Sequence, residues 1–226
     1  MSRTDEEQIE VIKRYIQQHG SKILLVIIVV IASYAGYQYL QKSQKVAKET
    51  ASIYYTELSA LAGEQSLSDR QRGQFDEIFA RLSKEYPSSR YAIYGAMHKA
   101  KLDVQANKLD DAEKTLLWAK EQVKDADLKP LLNLRLARIK LAQEKYDQAL
   151  ALLSEPSGAY TALYEEVKGD VHLLKDEQDQ ALLAYNKAKA LLDEANADTR
   201  LLAVKIASLD STAQQDKVFP NETAKP

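Results

Sequence analysis

The sequence predicts an all-α protein in which a single membrane-spanning helix precedes a solenoid of paired helices. Three observations predict it. Residues 23–40 form an almost unbroken apolar run bracketed by Lys22 and Lys42. The remainder is rich in Ala, Leu, Lys, Glu and Gln, with only 7 Gly and 5 Pro in 226 residues, a composition that favours helix. And one pattern, a helix closed by a short polar turn and followed by a helix entering with Ala, recurs three times between residues 100 and 188.

Residues 1–21 come first. Ile9, Ile12 and Ile16 fall at helical spacing with Val11 and Tyr15 beside them, and Asp5, Glu6 and Glu7 complement the helix dipole at the start. A short amphipathic helix over residues 5–18 is expected, lying on a lipid surface or docking a cytosolic partner. His19-Gly20 supplies its C-terminal stop.

Residues 22–41 are the anchor. About 20 apolar residues at roughly 1.5 Å each cross a hydrocarbon core of roughly 30 Å, and such a helix satisfies its own backbone hydrogen bonds. Tyr34, Tyr37 and Tyr39 gather at one end, where amphipathic rings favour the headgroup boundary. The competing reading is a cleaved signal, with Ser33 and Ala35 as its small residues. A signal begins with a short basic segment, whereas Asp5, Glu6, Glu7 and Glu10 precede this run, so an uncleaved anchor is favoured. Ala32 and Gly36 lie four apart on one face, a spacing that lets another membrane helix approach closely. Lys13, Arg14 and Lys22 before the run nearly balance Lys42, Lys45 and Lys48 after it, so charge leaves the orientation open.

Residues 42–210 form the folded domain. Residues 46–62 carry Ile53, Leu58 and Leu61 at helical spacing and continue from the anchor. Residues 74–86 carry Phe75, Ile78, Phe79 and Leu82 and stop before Pro87, giving a cruder first pair whose loop covers residues 63–73. The repeats proper occupy residues 100–119, 136–153 and 169–188. Their aligned alanines, Ala112, Ala149 and Ala181, are spaced by 37 and 32 residues, near the period of tetratricopeptide repeats. Ala100, Ala137 and Gly169 let the first helix of each pair approach the second. Leu116, Leu153 and Tyr185 fill the space between pairs, and Leu109, Tyr146 and Gln178 match at the turns. Asp103, Lys140 and His172 depart from the pattern at a position usually aromatic or aliphatic, and Pro156 stands where the second repeat should have a small residue. Residues 199–210, with Leu201, Leu202, Val204, Ile206 and Leu209, form a capping helix for the last apolar face. Residues 211–226 are polar and expected to be disordered.

Little chemistry is encoded. His19, His98 and His172 lie far apart, there is no Cys and no HExxH spacing, and neither GxGxxG nor a phosphate-binding loop occurs. The Asp176, Glu177, Asp179 cluster lacks the glycine and terminal glutamate of a calcium loop. Asn221-Glu-Thr matches a glycosylation triplet, a pattern short enough to recur by chance. Beyond the anchor, 27 Lys and Arg stand against 29 Asp and Glu, which provides no global field for nucleic acid. No catalytic residue, metal or cofactor is expected. What remains is the inner face of a repeat stack, lined mainly by first helices and suited to holding protein segments. Tyr91, Tyr94, His98, Arg135, Arg138 and Tyr164 are its candidate residues.

The segment KEYPSSRYA at residues 84–92, NLRLARIKLAQEKYDQAL at residues 133–150, Gly169-Asp170 and AYNKA at residues 184–188 resemble the YfgM family, the ancillary repeat subunit of the bacterial SecYEG translocon. The LRLAR block is the strongest element. The resemblance implies a single-pass inner-membrane protein with a cytoplasmic N-terminus and periplasmic repeats. It also implies association with the translocon and with a PpiD-like periplasmic chaperone, secreted proteins being its clients and no residue being catalytic. The runner-up is a membrane-tethered regulator whose residues 5–18 sequester a cytosolic signalling protein. A structural subunit of another envelope complex is the third.

Overall fold

Three turns with the same backbone mark the repeats. Asn107, Glu144 and Asp176 have φ of 57°, 60° and 60°. In each turn the next N–H reaches back into the preceding helix: Lys108 to Asp103 O at 2.8 Å, Lys145 to Lys140 O at 2.8 Å, Glu177 to His172 O at 2.9 Å. This left-handed Schellman closure satisfies carbonyls that a helix end leaves unpaired. The following helices begin at Leu109, Tyr146 and Gln178, the positions aligned by the sequence pattern. Asn196, with φ of 52°, ends a fourth helix the same way.

The computed structural model describes residues 3–64, 67–155 and 158–218. Nine α-helices occur among them: α1 Arg3–Ala62, α2 Asp69–Glu85, α3 Arg90–Gln105, α4 Leu109–Gln122, α5 Leu128–Ala142, α6 Tyr146–Leu152, α7 Thr161–Leu174, α8 Gln178–Glu194 and α9 Arg200–Val218. A 3-10 turn at Gly158–Tyr160 precedes α7, and the described residues contain no strand. Two compact units result, Met1–Thr50 and Ala51–Pro226.

In the first unit α1 is long and apolar enough to cross a membrane. Leu24 to Ile31 are all between 48% and 62% exposed, so no protein core covers this face. Its stability in isolation calls for lipid, since an apolar surface of this length is otherwise left in water. The helix break expected at His19-Gly20 is absent, and α1 runs through it. A single interior glycine costs about 1 kcal/mol, and the apolar run that follows holds the helix.

The second unit begins with the last turns of α1. Ala51, Leu58 and Ala62 pack with Phe75 and Leu82 of α2 and with Ala92 and Leu102 of α3. This is the first helix pair expected from the sequence, with a shorter loop. Ser68 starts α2 early through a capping box, accepting from the Gln71 N–H while Gln71 Oε1 accepts from the Ser68 N–H at 3.0 Å. Ser89 caps α3 by accepting from the Ala92 N–H at 3.0 Å.

The first helices are apolar on two faces because each serves two neighbours. Leu132, Leu136 and Ile139 of α5 join Ile93, Ala96 and Leu116, whereas Leu134 and Ala137 face the other way, onto Leu153, Val167 and Val171. This explains the LRLAR block, which has too many leucines for a one-sided amphipathic helix. Ala100, Ala112, Ala137, Ala149 and Ala181 are all buried. Gly169 is buried in α7 as well. Tyr185 packs with Leu202 and Leu209 of α9, so α9 covers the final face as expected. It continues past Asp210 to Val218, contrary to the expected disorder after residue 210. Residues 219–226, with the Asn221 triplet, lie outside the described residues, as does Pro156.

The three departures from the repeat pattern share one explanation. Asp103 is 1% exposed and is held by Arg72, with Lys99 at 3.5 Å. Lys140 donates to Glu113 at 2.5 Å, and His172 Nδ1 lies 2.6 Å from Glu177 Oε2. A polar side chain stands where an apolar one is usual because each has found a charged or hydrogen-bonding partner.

Candidate interaction groove

Tyr91, Tyr94, His98 and Lys101 succeed one another on a single face of α3, at intervals that bring residues three and four apart together. Tyr55 of α1 stands over three of them, its ring 5.7 Å from Tyr91, 5.9 Å from Tyr94 and 5.9 Å from His98. The Tyr55 hydroxyl lies 3.4 Å from His98 Nε2. Aromatic pairs at these distances add to packing beyond their area. Four of the sequence-predicted candidates, Tyr91, Tyr94, His98 and Arg135, are half-buried or nearly so, and Arg138 is exposed.

Arg135 and Arg138 project from α5 toward α3. Between the two helices runs a groove of about 230 Å³, floored by Met97, Ala100, Leu116 and Ile139 and rimmed by Lys101, Arg135 and Arg138. Among the described residues no carboxylate pairs with these three cations. Arg135 Nε is buried without a hydrogen-bond partner. Burial, then the Arg138 charge, pull the Arg135 guanidinium below its usual value, while the Tyr160 phenol acts in the opposite direction. Burial, followed by the charges of Lys101 and Arg135, holds the His98 imidazole below its ordinary 6.5.

Tyr164 does not belong to this surface. It is 3% exposed, packs with Leu134 and Leu153, and donates its hydroxyl to Pro130 O at 2.9 Å. A tyrosine has both an apolar body and a polar tip, and here a backbone carbonyl satisfies the tip inside the core. Burial accordingly pushes its phenol pKa up. The pattern missed Tyr55 and Lys101. Lys101 was available from its spacing after His98, whereas Tyr55 lies before the recognisable repeats.

A second groove, of about 690 Å³, is lined by Arg72, Asp76, Lys99 and Asp103. These charges neutralise one another, with Lys99 3.0 Å from Asp76 and Arg72 3.6 Å from Asp76. In the first unit Ala32 and Gly36 are exposed one turn apart, with nothing near a Cβ placed on Gly36. Ile9, Ile12 and Tyr15 are likewise exposed. No group of three or more His, Asp or Glu among the described residues is placed to hold a metal.

Residues 13–211 match the family of tetratricopeptide repeat-like domains, which covers the anchor region, the turns and all three repeats. The chain belongs to that family. It is also similar to the ancillary SecYEG translocon subunit of Neisseria gonorrhoeae, with 26% identity over 91% of this chain and 97% of the relative. The protein of the same name from Escherichia coli is 25% identical over 91% of this chain and 96% of its own length. The Aggregatibacter actinomycetemcomitans protein of that name is 26% identical over 91% and 97%. The resemblance drawn from the LRLAR block is thus borne out along nearly the whole chain. No solved structure matches it.

Proposed function

We propose that this chain is a non-catalytic inner-membrane scaffold that associates with the SecYEG translocon and passes translocated proteins to periplasmic chaperones. The observation that carries the reading is the extent of the similarity: relatives named as translocon subunits align over 97% of their length, from anchor to repeats. Family membership supports a binding role, because repeat stacks present extended surfaces to protein segments. In this reading α1 crosses the membrane, its N-terminal end is cytoplasmic and the repeats are periplasmic. The α3–α5 groove then faces a PpiD-like chaperone or its clients, and the Ala32–Gly36 face meets a membrane helix of the complex.

Two measurements test it. Purification of the full chain from membranes in mild detergent should recover translocon subunits and a membrane-tethered chaperone. Because the sequence has no Cys, Gln17→Cys and Glu121→Cys report topology cleanly. A membrane-impermeant maleimide added to intact inner-membrane spheroplasts should label the second and not the first. The reverse labelling, or recovery of neither partner, overturns the scaffold reading. The exposed stripe of Ile9, Ile12 and Tyr15 favours a second reading, a tethered regulator holding a cytosolic signalling protein. Recovery of one soluble cytosolic protein, lost on Ile9→Ser/Ile12→Ser, would support it.

A further inference from the structure

The positive rim of the α3–α5 groove is unusual within this chain. Several other interhelix cations are compensated: Lys140 by Glu113 at 2.5 Å, Lys205 by Glu166 at 2.9 Å and Asp170 at 2.7 Å, Lys187 by Glu165 at 3.1 Å. Lys101, Arg135 and Arg138 have no such carboxylate among the described residues, in a protein whose net charge is −2. A buried guanidinium nitrogen with no partner, as at Arg135 Nε, is costly, and the exposed Lys101 and Arg138 beside it turn their donors to the groove mouth, where an acceptor from outside fits.

The space beneath the rim narrows the acceptor's chemistry. Its floor of Met97, Ala100, Leu116 and Ile139 is apolar, and its volume of about 230 Å³ falls below the roughly 300–1,000 Å³ of pockets that enclose a free small molecule. It suits one or two inserted side chains. Methionine in the floor allows it to adapt to side chains of different shape. Three cations on one short rim are too few for a polyanion, whereas planar guanidinium groups pair carboxylates with two parallel hydrogen bonds.

We propose that the α3–α5 groove docks an acidic, apolar segment of a partner protein, carboxylates engaging Arg135 and Arg138 while an apolar side chain enters above Leu116 and Ile139. The proposal rests on the scaffold reading for its biological setting and names the partner chemistry that reading lacks. Lys101 steers the approach, since exposed rim charges act mainly on encounter rate and salt dependence. Tyr91 and Tyr94, with Tyr55 against them, continue the surface along α3 and give the segment aromatic faces on which to lie.

The test uses the full chain in nanodiscs of neutral lipid and a short fluorescein-labelled peptide of alternating Leu and Glu pairs, amidated at its C-terminus. Fluorescence anisotropy should show binding that weakens with salt. Arg135→Gln/Arg138→Gln should weaken it by about tenfold or more, while Arg135→Lys/Arg138→Lys, which keeps the charge but loses the paired hydrogen bonds, retains only part of the affinity. A peptide with Gln in place of Glu should bind poorly. Equal binding of the Gln peptide, or unchanged affinity in the Gln double variant, overturns the proposal, as does displacement of the peptide by vesicles of anionic lipid. Lys101→Glu, on the exposed rim, serves as a second variant if the double one melts early, and it should weaken binding most at low salt. Unchanged binding to Lys101→Glu at low salt also counts against the proposal. Co-purification of the wild-type chain separates the two readings. Peptide binding as expected without any recovered chaperone overturns the scaffold and keeps the groove. A chaperone recovered while the peptide fails to bind keeps the scaffold and overturns the groove.

Discussion

Gly169 of α7 lies directly under the ring of Tyr185 of α8: a Cβ placed on Gly169 would stand 2.4 Å from Cδ1 and from Cε1 of that ring. The ring is fully buried, and its hydroxyl donates to Asp170 at 2.7 Å. Asp170 in turn receives Lys205 of α9 at 2.7 Å, whose ammonium lies 5.3 Å from the Tyr185 ring centre. One glycine thus permits the ring that ties α7, α8 and α9 together. Burial and the Asp170 carboxylate push the Tyr185 phenol well above its usual value, so it remains a donor.

Gly169→Ala should therefore destabilise the repeat unit by about 1 to 3 kcal/mol, the cost of forcing extra volume into a packed contact. A urea titration followed by helical circular dichroism measures it. Adding Tyr185→Leu should recover part of the loss, because the two substitutions share one contact and their effects cannot add. Additive losses would show that the ring is not the obstacle.

The buried carboxylate of Asp103 gives a second expectation. Arg72→Met removes its nearest cation but leaves Lys99 at 3.5 Å. The loss should be about 2 to 3 kcal/mol, less than the roughly 3 to 5 kcal/mol of breaking an isolated buried pair. Arg72→Met/Asp103→Leu should be more stable than Arg72→Met alone. A double variant no more stable than the single one contradicts this account of the position.

Glu144 holds φ of 60° with an exposed side chain. An ordinary residue in the left-handed region costs about 1 to 2 kcal/mol, partly offset by the greater entropy glycine loses on folding. Glu144→Gly should stabilise the unit by about 0.5 to 1 kcal/mol, read as a higher urea midpoint with unchanged slope.

For His98 the shift has a defined sign. Tyr55 from α1, Lys101 on its own helix and Arg135 from α5 face it. Burial and the two cations disfavour its charged form, so the unfolded chain binds the proton more readily than the folded one. The stability this contributes is complete above the ordinary 6.5 and is lost as pH falls through the lower folded value. A histidine titration by NMR should give a value below 6.5, and Arg135→Met should raise it only in part, because burial is the larger cause.

What the sequence revealed depended on the range of the physics involved. Ala112, Ala149 and Ala181 were legible because close helix approach demands a small residue at a fixed spacing, and all three are buried. Two turn residues, Asn107 and Asp176, carry their own signal, since short polar side chains tolerate the left-handed region. Glu144 carries none, since a long charged side chain does not favour that region. His19-Gly20 signals a local stop that the apolar run beyond it overrides. Tyr164 departs from its expected place for another reason: spacing places a residue on a helix but not on the face that a neighbouring helix covers. Tyr55 meets His98 across 43 residues, a distance at which no local pattern speaks. The unpaired rim was equally hidden, because the absence of a carboxylate is a property of packed helices and not of spacing.

In the proposed function the repeats, through the face bearing Tyr94 and Arg135, hold a periplasmic chaperone beside the translocon. Photo-crosslinking amino acids placed in living cells at Tyr94, at Gln105 on the groove wall, at Glu121 and at Ile12 distinguish this from the alternatives, with the adducts identified by mass spectrometry. Adducts are expected from Tyr94 and Gln105 to a membrane-tethered periplasmic chaperone or to chains in transit, and far fewer from exposed Glu121 on α4. Adducts confined to Ile12 and a soluble cytosolic protein, with none from Tyr94 or Gln105, would contradict it.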